Sequence, residues 1–180
     1  MAEIREDDET GAMWECPQLF RLQNRYVLLL SIDNSVHPVL YATGQLDGSR
    51  FVAERIGRLD IGPEFYAPTC FVGDDGRPVL IAWSPEARST DAQVAAGWSG
   101  VMTLPRALAL HTSGRLRSTP TGELSRLRSN HWQAESIGVP SGIDVGLPVT
   151  GCRLEVMMTV RAGQASSIGL RLRSHPRVVR

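Results

Sequence analysis

Short apolar runs separated by polar turns dominate the hydrophobic pattern of this chain, and they predict strands. The run 26–30 is apolar throughout, which is typical of a strand buried on both faces. Segments 69–72 and 78–83 flank the turn Gly-Asp-Asp-Gly at 73–76, which is a hairpin signal because Asp and Gly tolerate positive φ. Further strands are predicted at 38–43, 50–55, 100–104, 107–111 and 116–118. This regular repetition predicts an all-β sandwich, barrel or propeller.

The pattern changes character in the last third of the chain. One short helix is predicted at 121–129, where Thr121 can act as its cap. Segment 136–148 is rich in Gly, Pro and Ser and predicts a connecting loop. Apolar and polar residues alternate again at 152–160 and 168–173, and these segments predict two more strands.

Composition excludes several classes of function. Nineteen basic and nineteen acidic residues give a formal net charge of zero, so no electrostatic argument favours nucleic acid or an anionic membrane as a partner. No apolar stretch reaches the roughly 18 residues of a membrane-spanning helix, and the acidic first residues do not resemble a secretory signal. We therefore expect a cytoplasmic protein of one ordinary domain's size, and its oligomeric state stays open.

The cysteines and histidines predict neither a disulfide framework nor a metal site. Cys16, Cys70 and Cys152 are few and scattered, so buried free thiols are the expected state, as in a reducing compartment. The four histidines are isolated from one another and from the cysteines. No metal or other cofactor is predicted.

Candidate chemistry begins at Trp-Glu-Cys-Pro, residues 14–17. Aromatic and sulfur neighbours lower the local dielectric constant, which disfavours the ionised form of a carboxylic acid. The segment thus predicts that Glu15 stays protonated near neutral pH and can protonate a leaving-group oxygen as a general acid. The alternative is an ordinary surface acid beside a packed Trp.

Three later segments give this motif a context. They are Leu-Asp-Ile-Gly-Pro-Glu-Phe-Tyr-Ala-Pro at 59–68, Ile-Ala-Trp at 81–83, and Gly-Trp-Ser-Gly-Val-Met-Thr-Leu-Pro-Arg at 97–106. With residues 14–17, in this order and spacing, they resemble glycoside hydrolase family 32 over nearly the whole chain. That family contains invertases, sucrose-6-phosphate hydrolases, inulinases and levanases.

The resemblance implies an architecture. Residues 1–112 would form the later blades of a five-bladed β-propeller, 113–148 a connection with a possible short helix, and 149–180 the start of a C-terminal β-sandwich. Both β domains would be incomplete. The family's nucleophilic Asp lies in an Asn-Asp-Pro motif and a second Asp in an Arg-Asp-Pro motif, and neither tripeptide occurs in these 180 residues. The chain thus resembles the C-terminal part of such an enzyme.

The resemblance also implies roles for particular residues. Glu15 matches the general acid/base of a retaining glycosidase, which needs a second carboxylate as nucleophile. The substrate-binding candidates are Trp14, Asp60, Phe65, Tyr66 and Trp83. A carboxylate can bind sugar hydroxyls and an aromatic face can cover sugar C–H groups; the alternative is a turn at 60–63 followed by core aromatics. Asp60 is the one tempting nucleophile, but its spacing from Glu15 does not assign it.

Three functions from different classes remain open at this point. The first is part of a retaining hydrolase that cleaves β-fructofuranosidic bonds in sucrose, sucrose 6-phosphate or fructans, without a cofactor. The second is a catalytically incomplete carbohydrate-binding or relic protein. The third is a fructosyltransferase or a related propeller hydrolase acting on arabinan or xylan, and the segments 14–17 and 65–67 argue against the arabinan and xylan branch.

Overall fold

The computed structural model describes residues 13–32 and 38–172. The chain divides into two compact units, 1–127 and 128–180. All secondary structure of the described residues lies in the first unit, in this order: β1 (Trp14–Leu22), β2 (Arg25–Ile32), β3 (Val39–Asp47), β4 (Arg50–Arg58), β5 (Tyr66–Val72), β6 (Pro78–Ser84), α1 (Thr90–Ala96), β7 (Val101–Met102), β8 (Arg106–Leu110), β9 (Leu116–Pro120) and a 3₁₀ helix (Gly122–Leu127).

The first sheet is an antiparallel meander in the order β1-β2-β3-β4. Its two central strands are the most buried, which explains the continuous apolar run that begins at Val27. The predicted polar turn at 33–35 lies outside the described residues. β1 is an edge strand of this sheet, and most of its first half is exposed.

The second sheet runs in the order β5-β6-β8-β9, and the two-residue β7 also pairs with β6. β7 and β8 are two parts of an interrupted strand, because Thr103 continues the bonding to β6 through its amide and hydroxyl (2.8 and 3.0 Å to Ala82) before Pro105 intervenes. Proline has no N–H to donate, so the ladder breaks there.

One hydrophobic core lies between the two sheets. It draws side chains from both of them: Leu22, Val27, Leu29, Val39, Tyr41, Phe65, Leu80, Ala82, Leu108 and Leu116. Polar bonds reinforce the packing, since the buried Thr43 hydroxyl donates to the Gly114 carbonyl (2.9 Å) in the β8–β9 turn. The first strands of the two sheets also lie side by side. A four-stranded antiparallel sheet is the repeating blade of a propeller, and the first sheet has this form; the blade count stays a prediction.

The eight strands predicted between residues 26 and 118 are confirmed, with different bounds, and the predicted helix is a short 3₁₀ helix. Two elements are missing from the prediction. β1 contains Pro17, which interrupts the strand pattern. α1 buries none of its residues, so no apolar stripe marks it; its N-cap Ser89 and left-handed C-cap Gly97 define its ends instead.

The second unit differs from its prediction. Described residues 128–172 contain no strand, although the alternation predicts one at 152–160 and another from 168 onward. The side chains of residues 128–172 are exposed, and two surface ion pairs, Arg128–Glu155 and Arg171–Asp144 (2.5 Å each), join distant parts of this segment. Alternation defines two faces, but a strand needs a hydrogen-bonded neighbour as well. The predicted sandwich and the domain boundaries stay predictions. Among the described residues, no helix has the length and apolar character needed to cross a membrane.

Candidate active site

Glu15 lies near the start of the edge strand β1, directly before an irregularity in the strand. The register of β1 against β2 shifts between Glu15 and Gln18, and Cys16 has a φ of +48°. A non-glycine residue with positive φ is uncommon, and bulges of this kind redirect neighbouring side chains. The distortion therefore marks Glu15 as a position where the strand departs from regular geometry, as strands often do beside functional sites.

Tyr66 begins β5, the first strand of the second sheet, and the same distortion follows it. The register of β5 against β6 shifts between Tyr66 and Thr69, and Ala67 has a φ of +45°. The Ala67 amide, freed from the ladder, donates to the fully buried Ser31 hydroxyl of β2 (3.0 Å). This bond ties β5 to the strand that pairs with Glu15, since Glu15 and Ser31 are register partners.

The two bulges bring Glu15 and Tyr66 together across the sheets. The Tyr66 hydroxyl donates a hydrogen bond to Glu15 Oε2. On the other side, Trp83 is the register partner of Tyr66, and their rings meet edge to face with centroids 6.4 Å apart and planes at 80°. The result is a contiguous group of one carboxylate, one phenol and one indole, which we call the reactive group (Glu15, Tyr66 and Trp83).

The reactive group is accessible to solvent. Glu15 is exposed, and Trp83 and Trp14 are 43% and 42% exposed. This differs from the apolar enclosure of Glu15 predicted from its sequence neighbours. The described residues hold the carboxylate through the Tyr66 hydroxyl rather than through burial.

Asp60 and Phe65 form a second group with Arg106, which we call the anchor group. Arg106 Nη1 donates to Asp60 Oδ2 (2.5 Å), and its guanidinium lies 4.6 Å from the centroid of the Phe65 ring. The amide of Gly62 donates to Asp60 Oδ1 (2.8 Å). Arg106 thereby fastens the segment between the two sheets to β8.

The anchor group controls the ionisation of Asp60. Burial alone would raise the pKa of this carboxyl group, but hydrogen bonds from Arg106 and from the backbone amide of Gly62 outweigh it and hold the pKa below its ordinary value. Both carboxylate oxygens are occupied by these donors. Phe65 is 2% exposed, so its ring packs in the core and does not face solvent as a sugar-binding ring would. The bond from the Gly62 amide to the Asp60 side chain agrees with the predicted turn at 60–63, and a sugar-binding role for Asp60 stays a prediction.

Two further residues shape the site without having been predicted. Ser31 is the one buried polar side chain of strand β2, where it interrupts an apolar run, and that interruption was the available signal for its bond to β5. Gly100 has a φ of +66°, and a Cβ at this position would overlap Nε1 of Trp83. The segment 97–106 was singled out as a motif, but the sequence could not indicate which side chain Gly100 faces.

The cysteines differ from their prediction. Cys16 and Cys152 are exposed, and only Cys70 is partly buried, where burial raises the pKa of its thiol to about 11. Exposure follows from position, because Cys16 lies on an edge strand and Cys152 lies among residues 128–172, where the structure describes no strand. Within the described parts of the chain, no three His, Cys, Asp or Glu side chains come together in a way that could hold a metal ion.

Comparison with known proteins gives a consistent result. The family model described as "Glycosyl hydrolases family 32 N-terminal domain" matches residues 2–120. A sucrose-6-phosphate hydrolase of Staphylococcus xylosus is 29% identical over 93% of this chain and 36% of its own length. The chain therefore spans about a third of that curated relative.

Two solved structures are similar to the fold. A variant of a Bombyx mori GH32 beta-fructofuranosidase in complex with sucrose is 30% identical, with a TM-score of 0.58 over 69% of this chain and 29% of that chain. A variant of fructan 1-exohydrolase IIa from Cichorium intybus in complex with 1-kestose is 28% identical, with a TM-score of 0.58 over 65% of this chain and 26% of that chain.

Proposed function

Because the chain belongs to glycoside hydrolase family 32, we propose that it carries the general acid/base of a β-fructofuranosidase and that Glu15 is that residue. The hydrogen bond from the Tyr66 hydroxyl to Glu15 is the observation that carries this proposal. It fixes one solvent-facing carboxylate beside two aromatic rings, at a point where both supporting strands are bulged. The substrate class is carbohydrates with a β-fructofuranosidic bond: sucrose, sucrose 6-phosphate or fructans.

Glu15 acts in both halves of a retaining reaction. In the first half its carboxyl proton passes to the glycosidic oxygen as the bond to the fructosyl carbon breaks. In the second half the resulting carboxylate takes a proton from the water that releases fructose. Tyr66 keeps the side chain oriented by donating to the oxygen that does not carry the proton.

The fructosyl group also needs a second carboxylate as nucleophile, about 5 to 5.5 Å from the first. Asp60 is not assigned this role, because both of its oxygens accept hydrogen bonds from the anchor group. A carboxylate that is already bonded to a guanidinium is a poor nucleophile and a good structural anchor. No other described residue is assigned as nucleophile.

The aromatic members of the reactive group give the sugar a surface to bind. Trp83 is 43% exposed and lies in edge-to-face contact with Tyr66. Sugar rings carry C–H groups on one face and hydroxyls at their edge, so an indole beside a carboxylate suits both. Binding without turnover is the second candidate function, and this open aromatic surface is the observation that favours it.

The deciding experiment measures fructose release from sucrose, sucrose 6-phosphate and 1-kestose by the full-length protein and its Glu15→Gln variant. We expect Glu15→Gln to lower kcat by about 10² to 10⁴-fold, the usual contribution of a general acid. The matched control is Glu54→Gln, which removes an exposed carboxylate from β4 at the opposite edge of the same sheet. It should leave kcat unchanged.

A fructosyl donor with a fluoride leaving group sharpens the test, because fluoride leaves without a proton. Glu15→Gln should therefore form the fructosyl intermediate from this donor at nearly the wild-type rate. Equal loss on both donors would contradict the acid role. Calorimetric binding of sucrose with no fructose release from the wild-type protein would favour the binding function instead.

A further inference from the structure

The segment between β6 and β7, residues 85–100, is a structured excursion from the sheet beside the reactive group. It contains α1, which buries no residue, so side-chain packing does not hold it in place. Polar bonds do: Glu86 accepts two bonds from Arg88 (2.5 Å each), and Gln93 donates to the Arg88 carbonyl (2.7 Å). The Ser99 hydroxyl donates to Gln93 (2.6 Å) and closes the segment.

Glu86 makes one more bond, and it leads toward the reactive group. Its Oε2 accepts from the Gly100 amide (3.1 Å), across fourteen residues of chain. The Glu86 side chain is only 13% exposed, whereas α1 beside it is solvent-facing. Arg88, held by Glu86, lies with its guanidinium 4.0 Å from the centroid of the Trp98 ring and donates to the Trp98 carbonyl (3.2 Å). Glu86 therefore accepts hydrogen bonds from both ends of the segment 85–100, from Arg88 near its start and from Gly100 at its end.

Gly100 lies directly against Trp83. Its backbone approaches the indole so closely that a Cβ would overlap Nε1 of Trp83. Trp83 is otherwise 43% exposed, so Gly100 on one side and Tyr66 on the other limit the positions of its ring. Tyr66 then donates to Glu15. Contacts thus run without interruption from Glu86 through Gly100, Trp83 and Tyr66 to Glu15.

We infer that Glu86 is a positioning residue for the reaction: by fixing Gly100 against Trp83, it sets the orientation of Tyr66 and hence of Glu15. This inference rests on the proposed function for the role of Glu15. It adds that the excursion 85–100, which contributes no atom to the proton transfer, determines how well the acid is aligned. A shift of about 1 Å at a catalytic group can cost roughly 10²-fold in rate.

The test compares Glu86→Ala, Glu86→Gln and Glu123→Ala in the full-length protein. Glu86→Ala should lower kcat on sucrose about 10- to 100-fold with little change in KM, and should move the pH profile of kcat. Glu86→Gln keeps an oxygen acceptor for Gly100 and should recover most of kcat. Glu123 lies on the 3₁₀ helix and, like Glu86, pairs with an arginine, in this case Arg77. Glu123→Ala should therefore leave kcat and its pH profile as in wild type.

A spectroscopic measurement separates this inference from the proposed function. The chain has four tryptophans, so ¹⁵N-tryptophan labelling gives four indole signals, and Trp83→Phe identifies the one from Trp83. Glu86→Ala should shift that signal and the ring signals of Tyr66. An unmoved Trp83 signal would overturn the inference, and so would a moved signal with wild-type kcat and pH profile. If the wild-type protein releases no fructose, the proposed function fails. The shifts at Trp83 and Tyr66 alone then decide whether Glu86 sets the positions of these two rings.

Discussion

The reactive group and the anchor group each combine a carboxylate with aromatic residues, but they use the carboxylate in opposite ways. Glu15 is exposed and receives a hydrogen bond from a neutral phenol, whereas Asp60 is partly buried and receives two donors, one of them a guanidinium. A carboxylate saturated by a cation is held ionised and immobile, which suits structure. A carboxylate with one neutral partner keeps an oxygen available for a proton, which suits catalysis.

The largest expected difference between the two groups is in stability, and removal of Arg106 from the anchor group tests it. Arg106→Ala should lower the free energy of unfolding by about 3 kcal/mol, because Asp60 loses a charge-assisted hydrogen bond in a partly buried place. Urea unfolding of the full-length protein, followed by tryptophan fluorescence, measures this. The control is Arg77→Ala, whose guanidinium pairs with Asp75 and Glu123 at a site where its side chain is 44% exposed, and it should cost much less stability than Arg106→Ala because solvent screens exposed ion pairs. An equal decrease in the free energy of unfolding in the two variants would contradict a special stabilising role for Arg106.

Removing one hydroxyl tests the reactive group with a smaller expected effect. Tyr66→Phe keeps the ring against Trp83 but removes the donor to Glu15, so kcat on sucrose should fall about tenfold. The free energy of unfolding should stay within about 0.5 kcal/mol of wild type, because the site is solvent-facing. Steady-state kinetics and urea unfolding together check this, with Tyr26→Phe on β2 as control. A variant that loses stability but keeps kcat would make Tyr66 a structural residue.

The smallest expected effect is the contribution of Asp60 to the pH dependence of stability. The folded-state pKa of Asp60 lies below its unfolded value, so the unfolded state binds more protons as the pH falls. The contribution of Asp60 should be fully present above about pH 4, its ordinary unfolded pKa, and should be lost as the pH falls through the lower folded value. We expect up to about 1 kcal/mol, measured as the difference between wild type and Asp60→Asn in urea at pH 3 to 6. A constant difference over that range would contradict the assignment.

The two units of the chain teach a related lesson about prediction. In the first unit, apolar alternation and turn residues predicted eight strands because each strand has a hydrogen-bonded neighbour close in sequence. In described residues 128–172 the same alternation at 152–160 forms no strand. The alternation of apolar and polar residues predicts which side chains would share a face of a strand. Whether the strand forms depends on a hydrogen-bonded neighbouring strand.

The candidate site was predictable in its residue types and partly in its members. Glu15, Tyr66 and Trp83 were all selected from sequence motifs, and the structure places them in contact. Phe65, although adjacent to Tyr66 in the same motif, faces the core instead. Tyr66 is the first residue of β5 and Phe65 lies directly before the strand, so the strand's alternation of faces fixes the direction of Tyr66 alone, whereas Phe65 packs into the core.

The sequence by itself determined the predominantly β character of the first unit, the hairpin turn at 73–76 and the short list of chemically capable residues, because periodicity and turn chemistry are local properties. Only the tertiary structure decided which carboxylate accepts a hydrogen bond from a neutral hydroxyl and which one pairs with a guanidinium. That difference depends on Tyr66 meeting Glu15 across 51 residues and on Arg106 meeting Asp60 across 46. The reason is physical: the bulges at Cys16 and Ala67 and the packing of two sheets bring these groups together, and no local pattern encodes either distance.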